Sequence, residues 1–144
     1  MTKSSGKTRV LIVDDDEAVR STMDEYIQTA GFHSETVACA EEALELLENG
    51  DFHVVITDIM LPAMGGLELT KSIKEKKDTD VIVMTGYSDD YSYEEAINTG
   101  ASDFVIKPVR LEELLLRLKR VLKERDLTKE RVRMMEKLQR LAVT

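Results

Sequence analysis

The sequence predicts a doubly wound α/β fold: a five-stranded parallel sheet in the order 2-1-3-4-5, helices on both faces, and a helical extension at the C-terminus. Three observations lead there. Five short apolar runs alternate with stretches whose apolar residues recur at helical spacing, in units of about 20–27 residues, which implies right-handed βαβ crossovers. The central run, Val54-Val55-Ile56, is unbroken, as a strand buried on both faces requires, and it stops on Asp58 before a turn containing Pro62. Three other runs also end on polar residues: 10–13 on Asp14-Asp15-Asp16, 81–84 on Thr85, and 104–106 on Lys107. In a parallel sheet all strand C-termini lie along one edge, so these residues converge there.

Taken in order, residues 10–13 form the first strand, and Asp14 to Glu17 open a helix in which Val19, Met23, Ile27 and Ala30 share a face until Gly31 stops it. Residues 32–37 alternate weakly and suit an outer strand. A helix over 40–48 turns Ala43, Leu44 and Leu47 inward and closes at Asn49-Gly50. The Asp58 strand follows, then a helix led by Gly65-Gly66 with Leu67, Leu69 and Ile73 inward. Residues 81–84 are the fourth strand, 91–98 a short polar helix stopped by Gly100, and 104–106 the fifth strand. From Leu111 to Ala142 there is neither proline nor glycine, so one helix of about 48 Å is expected. Its stripe Leu111, Leu115, Leu118 and Leu122 should cover the sheet. A second stripe, Leu127, Met134, Leu138 and Leu141, is out of phase with the first and should offer a seam to a partner, such as a parallel coiled coil in a dimer.

Length and composition set limits. A chain of 144 residues is about one domain, and with 42% hydrophobic residues and no apolar run near the ~18 needed to cross a bilayer it reads as a soluble protein with no membrane role. The first seven residues lack the hydrophobic segment of a signal peptide, so a cytoplasmic location is expected. The single cysteine, Cys39, excludes an internal disulfide framework. His33 and His53 have no partner at ligand spacing. Gly6-Lys7-Thr8 resembles the end of a phosphate-binding loop but precedes the first strand, where that loop has no role. Net charge is -8, divided unevenly: residues 110–144 hold 11 basic and 6 acidic groups (+5), leaving 9 and 22 for residues 1–109 (-13). An acidic body disfavours direct nucleic-acid binding by the globular part.

The strand ends supply an acidic pair or triple (Asp14, Asp15, Asp16), a separate carboxylate (Asp58), a hydroxyl (Thr85) and an ammonium (Lys107). Carboxylates about 4 Å apart repel by roughly 4 kcal/mol per pair at an effective dielectric of 20, and one lysine does not offset that. A divalent cation is required, and oxygen-only ligands favour Mg²⁺. Such a site suits phosphoryl transfer, with a carboxylate attacking phosphorus while the cationic groups and the hydroxyl stabilise the phosphoryl oxygens.

With these motifs in order, the chain resembles the response-regulator receiver domains of bacterial two-component signalling over about residues 8–124, a flavodoxin-like fold. The resemblance is carried by Val13-Asp14-Asp15 with Arg20 beyond, Asp58 with Pro62 and Gly66, Thr85-Gly86, Phe104, and Lys107-Pro108. It implies that Asp58 is the phosphoacceptor. Mg²⁺ would be held by Asp14, Asp15, Asp58 and the Met60 carbonyl, with Asp15 the more direct ligand of the acidic pair. Thr85 and Lys107 would bind phosphoryl oxygens beside the small Gly86, and Phe104 would be the aromatic switch residue. Asp16 is assigned to the first helical turn, facing the positive end of the helix dipole. The implied partner is a sensor histidine kinase. The implied response is a change of the face built from helix 4, strand 5 and helix 5, with homodimerisation through that face or the C-terminal helix. Tyr87, two residues past Thr85, would shield the acyl phosphate from water and slow its hydrolysis.

Two other readings remain at the level of sequence. The Asp14-x-Asp16 spacing with Thr85 and Lys107 resembles haloacid-dehalogenase-type phosphatases, with Asp14 as nucleophile. That reading gives Asp58 no task, and no further strand with an aspartate pair follows Lys107. A phosphorylation-independent adaptor is the third. Residues 125–144 are expected to be a helical linker, and its last seven residues resemble the segment entering diguanylate cyclase domains; an AAA+ activator is the alternative output. On that expectation the chain is a receiver separated from its output domain.

Overall fold

The computed structural model describes residues 7–86 and 93–143. Among these residues five strands alternate with five helices: β1 (Arg9–Val13), α1 (Glu17–Thr29), β2 (His33–Val37), α2 (Ala40–Asn49), β3 (Val54–Asp58), α3 (Gly66–Lys76), β4 (Asp80–Thr85), α4 (Tyr93–Asn98), β5 (Asp103–Ile106) and α5 (Leu111–Val143). The strands form one sheet in the order β2-β1-β3-β4-β5, every neighbouring pair parallel. The fold class and strand order are those the sequence predicts.

The period of two along each strand divides the core into two layers. Val10, Ile12, Val54, Ile56, Ile82, Met84 and Val105 face one side, where Met23 and Ile27 of α1 and Leu114, Leu118 and Val121 of α5 cover them. Leu11, Val13, Val55, Val81 and Val83 face the other, under Ala43 and Leu47 of α2, Leu69 and Ile73 of α3, and Ala96 of α4. All five residues of β3 are buried, as its unbroken apolar run requires.

Helix ends follow local chemistry. Asp16 is the N-cap of α1, its carboxylate accepting the N–H groups of Ala18 at 3.0 Å and Val19 at 3.2 Å. Helix α1 therefore begins at Glu17, and Asp16 serves the first-turn role expected of it. Gly31, with φ of 104°, provides the left-handed residue that ends α1.

The stripe of α5 is corrected by the structure. Leu114, Leu118 and Val121 are the buried residues, whereas Leu111, Leu115 and Leu122 are half-buried at the flanks. The inward face is rotated from the predicted one because α5 packs against both α1 and the sheet, so its contact direction is set by two neighbours. Beyond the body, residues 126–143 are exposed throughout, and α5 runs past residue 124 without a break as far as Val143.

Candidate functional site

The C-terminal edge of the sheet collects the predicted residues. Asp14 follows β1, Asp58 ends β3, Thr85 ends β4 and Lys107 follows β5. Parallel pairing aligns these ends: Asp58 lies opposite Met84, and Thr85 opposite Ile106. Three backbone bonds fasten the edge, from Asp14 N–H to the Val37 carbonyl at 3.2 Å, Ile59 N–H to Met84 at 2.9 Å and Lys107 N–H to Thr85 at 2.7 Å.

Ligand atoms of Asp14, Asp15 and Asp58 lie within 4.8 Å of one another. Asp14 and Asp58 are buried while Asp15 is exposed, so the cluster opens to solvent on one side. Lys107 donates to Asp58 Oδ2 and stands 3.7 Å from Asp14 Oδ2. Asp58 Oδ1 accepts the Met60 N–H at 3.0 Å, and Asp14 Oδ1 accepts the Asp16 N–H at 2.9 Å. Asp14 Oδ2 is buried and accepts no hydrogen bond.

Burial raises the pKa of Asp14 above the ordinary 3.8, against the opposing effects of the Asp16 N–H and Lys107; the Asp58 and Asp15 charges add to the rise. Burial alone would lower the Lys107 pKa, but the bond to Asp58 and the charges of Asp58, Asp14 and Asp15 outweigh it and hold the ammonium protonated. Three carboxylates share one ammonium, and one buried oxygen lacks a donor. That donor set, all hard oxygens, fits a divalent cation such as Mg²⁺.

Thr85 and Gly86 are half-buried at the same edge, the Thr85 hydroxyl 3.4 Å from the Gly86 carbonyl. Phe104 pairs in register with Val83, two residues before Thr85, and packs half-buried on the α2–α3 side of the core. Met60 has an exposed side chain beside Asp58. Tyr87 lies outside the described residues.

Two contributions were not assigned from the sequence. The Arg20 guanidinium donates to the Asp14 carbonyl at 2.9 Å and so holds the acidic turn from the side of α1. Gly66 lets α3 start directly against the end of β3: a Cβ there would stand 2.1 Å from the Asp58 carbonyl oxygen and 2.7 Å from the Ile59 Cα. The Gly66 N–H bonds the Ile59 carbonyl at 2.9 Å, and the Glu68 carboxylate accepts the Gly65 N–H at 3.1 Å. Both residues were legible as parts of a motif, but their contacts are to backbone, which spacing does not reveal.

This edge, with its acidic cluster, single lysine and strand-end threonine, coincides with a family match: the response regulator receiver domain, over residues 10–119. The chain belongs to the response regulator receiver family. Among curated relatives of this receiver, a cyclic di-GMP phosphodiesterase of Thermotoga maritima is 40% identical over 117 residues, 81% of this chain and 31% of that protein. The heme response regulator HssR of Staphylococcus saprophyticus is 39% identical over 116 residues, 81% of this chain and 52% of that one. The chain thus spans about a third to a half of the length of these relatives. Among solved structures, the chemotaxis response regulator CheY4 of Vibrio cholerae superposes with a TM-score of 0.74 at 31% identity, covering 80% of this chain and 98% of that one.

Proposed function

We propose that this receiver is a phosphorylation-dependent signalling switch in which Asp58 accepts a phosphoryl group from a sensor histidine kinase. The observation that carries the reading is the meeting of Asp58 with Lys107, Asp14 and Asp15 at one sheet edge, with the buried Asp14 Oδ2 left without a donor. An Asp58 oxygen forms the new O–P bond as the P–N bond of the kinase phosphohistidine breaks, and the electron pair of that bond stays with the imidazole. Mg²⁺ would be held by Asp14, Asp15, Asp58 and the Met60 carbonyl, and bound there it supplies positive charge against the phosphoryl oxygens. The Lys107 ammonium passes from the Asp58 carboxylate to a phosphoryl oxygen. The Thr85 hydroxyl and the Gly86 N–H donate to another, and the missing Cβ of Gly86 leaves room for it.

Drawing Thr85 toward the phosphoryl group frees space into which Phe104 turns, which changes the face of α4, β5 and α5 and so shifts the population between two states of one fold. Residues 8–124 act as the receiver, and residues 125–144 as the helical linker that carries the change to an output domain or partner. Dimerisation uses the α4–β5–α5 face, the exposed stripe of distal α5, or both. Tyr87 shields the acyl phosphate, so Tyr87→Ala should shorten its lifetime severalfold; an unchanged lifetime removes that role. The protein acts in the cytoplasm, and among the described residues no helix is long and apolar enough to cross a membrane.

Intact-mass spectrometry after incubation with Mg²⁺ and acetyl phosphate tests the reading. The expected result is one phosphoryl adduct of about 80 Da, labile at alkaline pH and absent from Asp58→Asn. Phosphate release that survives Asp58→Asn and is lost in Asp14→Asn would instead identify a phosphatase, and no reaction at all an adaptor.

A further inference from the structure

We propose that Arg125 is the positioning residue that sets the direction of distal α5, by tying the point where the helix leaves the body to the first residue of β4. The inference rests on the reading of α5 as the connection to an output, and it concerns the sheet edge opposite Asp58. Along α5, Val121 is buried, Leu122 half-buried, and residues 123 and 124 exposed; Arg125 is covered again, its side chain 11% exposed, and everything from 126 to 143 is exposed. Among the described residues of the helix, Arg125 is the last whose side chain is mostly covered.

Its guanidinium donates to Asp80 Oδ2 at 3.0 Å and lies 3.6 Å from Asp78 Oδ2. The other Asp80 oxygen accepts the Ser102 hydroxyl at 2.7 Å, and the Ser102 N–H bonds the Val81 carbonyl at 2.7 Å. The turn before β4 and the first residue of β4 thus meet one planar, forked donor, and the entry to β5 is bonded to the same Asp80 carboxylate. A guanidinium hydrogen-bonded to one carboxylate and close to a second is constrained in orientation, whereas a single apolar contact would let the helix pivot.

Stability alone does not account for this choice of residue. Arg125 Nε is buried without a hydrogen-bond partner, and the desolvation of such a pair offsets much of its attraction, so apolar side chains in place of the whole pair would serve the core as well. What the guanidinium adds is direction. The strand it grips is β4, Asp80–Thr85, whose other end presents Thr85 at the phosphoryl-binding edge. On the proposed function, one strand then joins the residue that senses the phosphoryl group to the residue that aims the output helix.

The test is a distance measurement by pulsed electron spin resonance on the full chain. Spin labels are placed at Glu48→Cys on α2 and Gln139→Cys on distal α5, both exposed positions, in a Cys39→Ser background. Excess unlabelled protein is added so that only distances within one chain are read. The expected result is a single narrow distribution in the parent and one at least twice as wide in Arg125→Met, with helical content by circular dichroism unchanged. Asp78→Asn combined with Asp80→Asn should broaden it in the same way with Arg125 intact, and decides the matter should Arg125→Met fail to fold. An unchanged width in these variants overturns the proposal. The acetyl phosphate adduct is read on the same samples: a broadened distribution without any adduct in the parent sinks the phosphorylation switch and leaves the anchor standing, and an adduct with unchanged width sinks the anchor alone.

Discussion

Asp14 has no exposed surface, its Oδ2 accepts no hydrogen bond, and burial raises its pKa, so the folded chain holds this carboxylate at a cost in the absence of a cation. Asp14→Asn should therefore stabilise the protein in metal-free buffer, chiefly by removing a charge that burial strips of its water. The same variant should lose the stabilisation that saturating Mg²⁺ gives the parent, about 2.7 kcal/mol at a hundredfold excess over Kd. Urea denaturation with and without Mg²⁺ checks both, and a destabilised metal-free variant would contradict the account. Gly66→Ala should act in the other direction. Its Cβ is aimed at the Asp58 carbonyl, so the start of α3 must move, costing roughly 1–3 kcal/mol and slowing labelling by acetyl phosphate. Asp14, Asp15, Asp58, Thr85 and Lys107 were legible as neighbours on one sheet edge because each lies at or just past a strand end, and strand ends are local features of sequence. Arg20 and Gly66 act on backbone atoms of other segments, and nothing in their own spacing states which atoms those are.

At the scale of elements, α5 separates what periodicity can fix from what it cannot. Leucine occupies positions 111, 114, 115, 116 and 118, so several stripes fit a 3.6-residue repeat equally well. Packing against Met23 and Ile27 of α1 and against the sheet selects Leu114, Leu118 and Val121, and it leaves Leu116 69% exposed. Leu118→Ala should cost about 2–5 kcal/mol by opening a cavity, whereas Leu116→Ala should fall within about 0.5 kcal/mol of the parent. Chemical denaturation of the two separates the buried face of the helix from its exposed one. In distal α5, Leu127, Met134, Leu138 and Leu141 stay exposed. If they form the dimer seam, Met134→Glu with Leu138→Glu should shift the phosphorylated chain from dimer to monomer in sedimentation, with the mass adduct at Asp58 unaffected. A variant that remains dimeric would assign association to the α4–β5–α5 face.

For the whole molecule, the far edge of the sheet carries a titratable group apart from the acidic cluster. At the edge away from Asp58, the His53 and Arg9 backbones bond each other while the Arg9 N–H also donates to His53 Nδ1 at 3.0 Å, which requires an unprotonated ring nitrogen there. Burial lowers the His53 pKa below the ordinary 6.5, and the cationic Arg125, Lys129 and Arg9 add to the effect. Below about pH 6.5 the unfolded chain then binds the proton more readily than the folded one, so this contribution to stability, complete above that pH, is lost as pH falls toward the lowered value. Thermal midpoints measured between pH 7.5 and 5.5 should drop less in His53→Gln, which keeps an acceptor for Arg9 without a titrating ring. The amino-acid sequence by itself determined the five parallel strands, their order, the long C-terminal helix and the acidic, hydroxyl and ammonium groups at one edge, because apolar period and strand ends are written locally along the chain. Only the tertiary structure decided which face of α5 is buried, which Asp14 oxygen lacks a donor, and that Arg125 meets Asp78 and Asp80. Those outcomes depend on which segments arrive side by side from 20 or more residues apart, and folding in three dimensions is what brings them together.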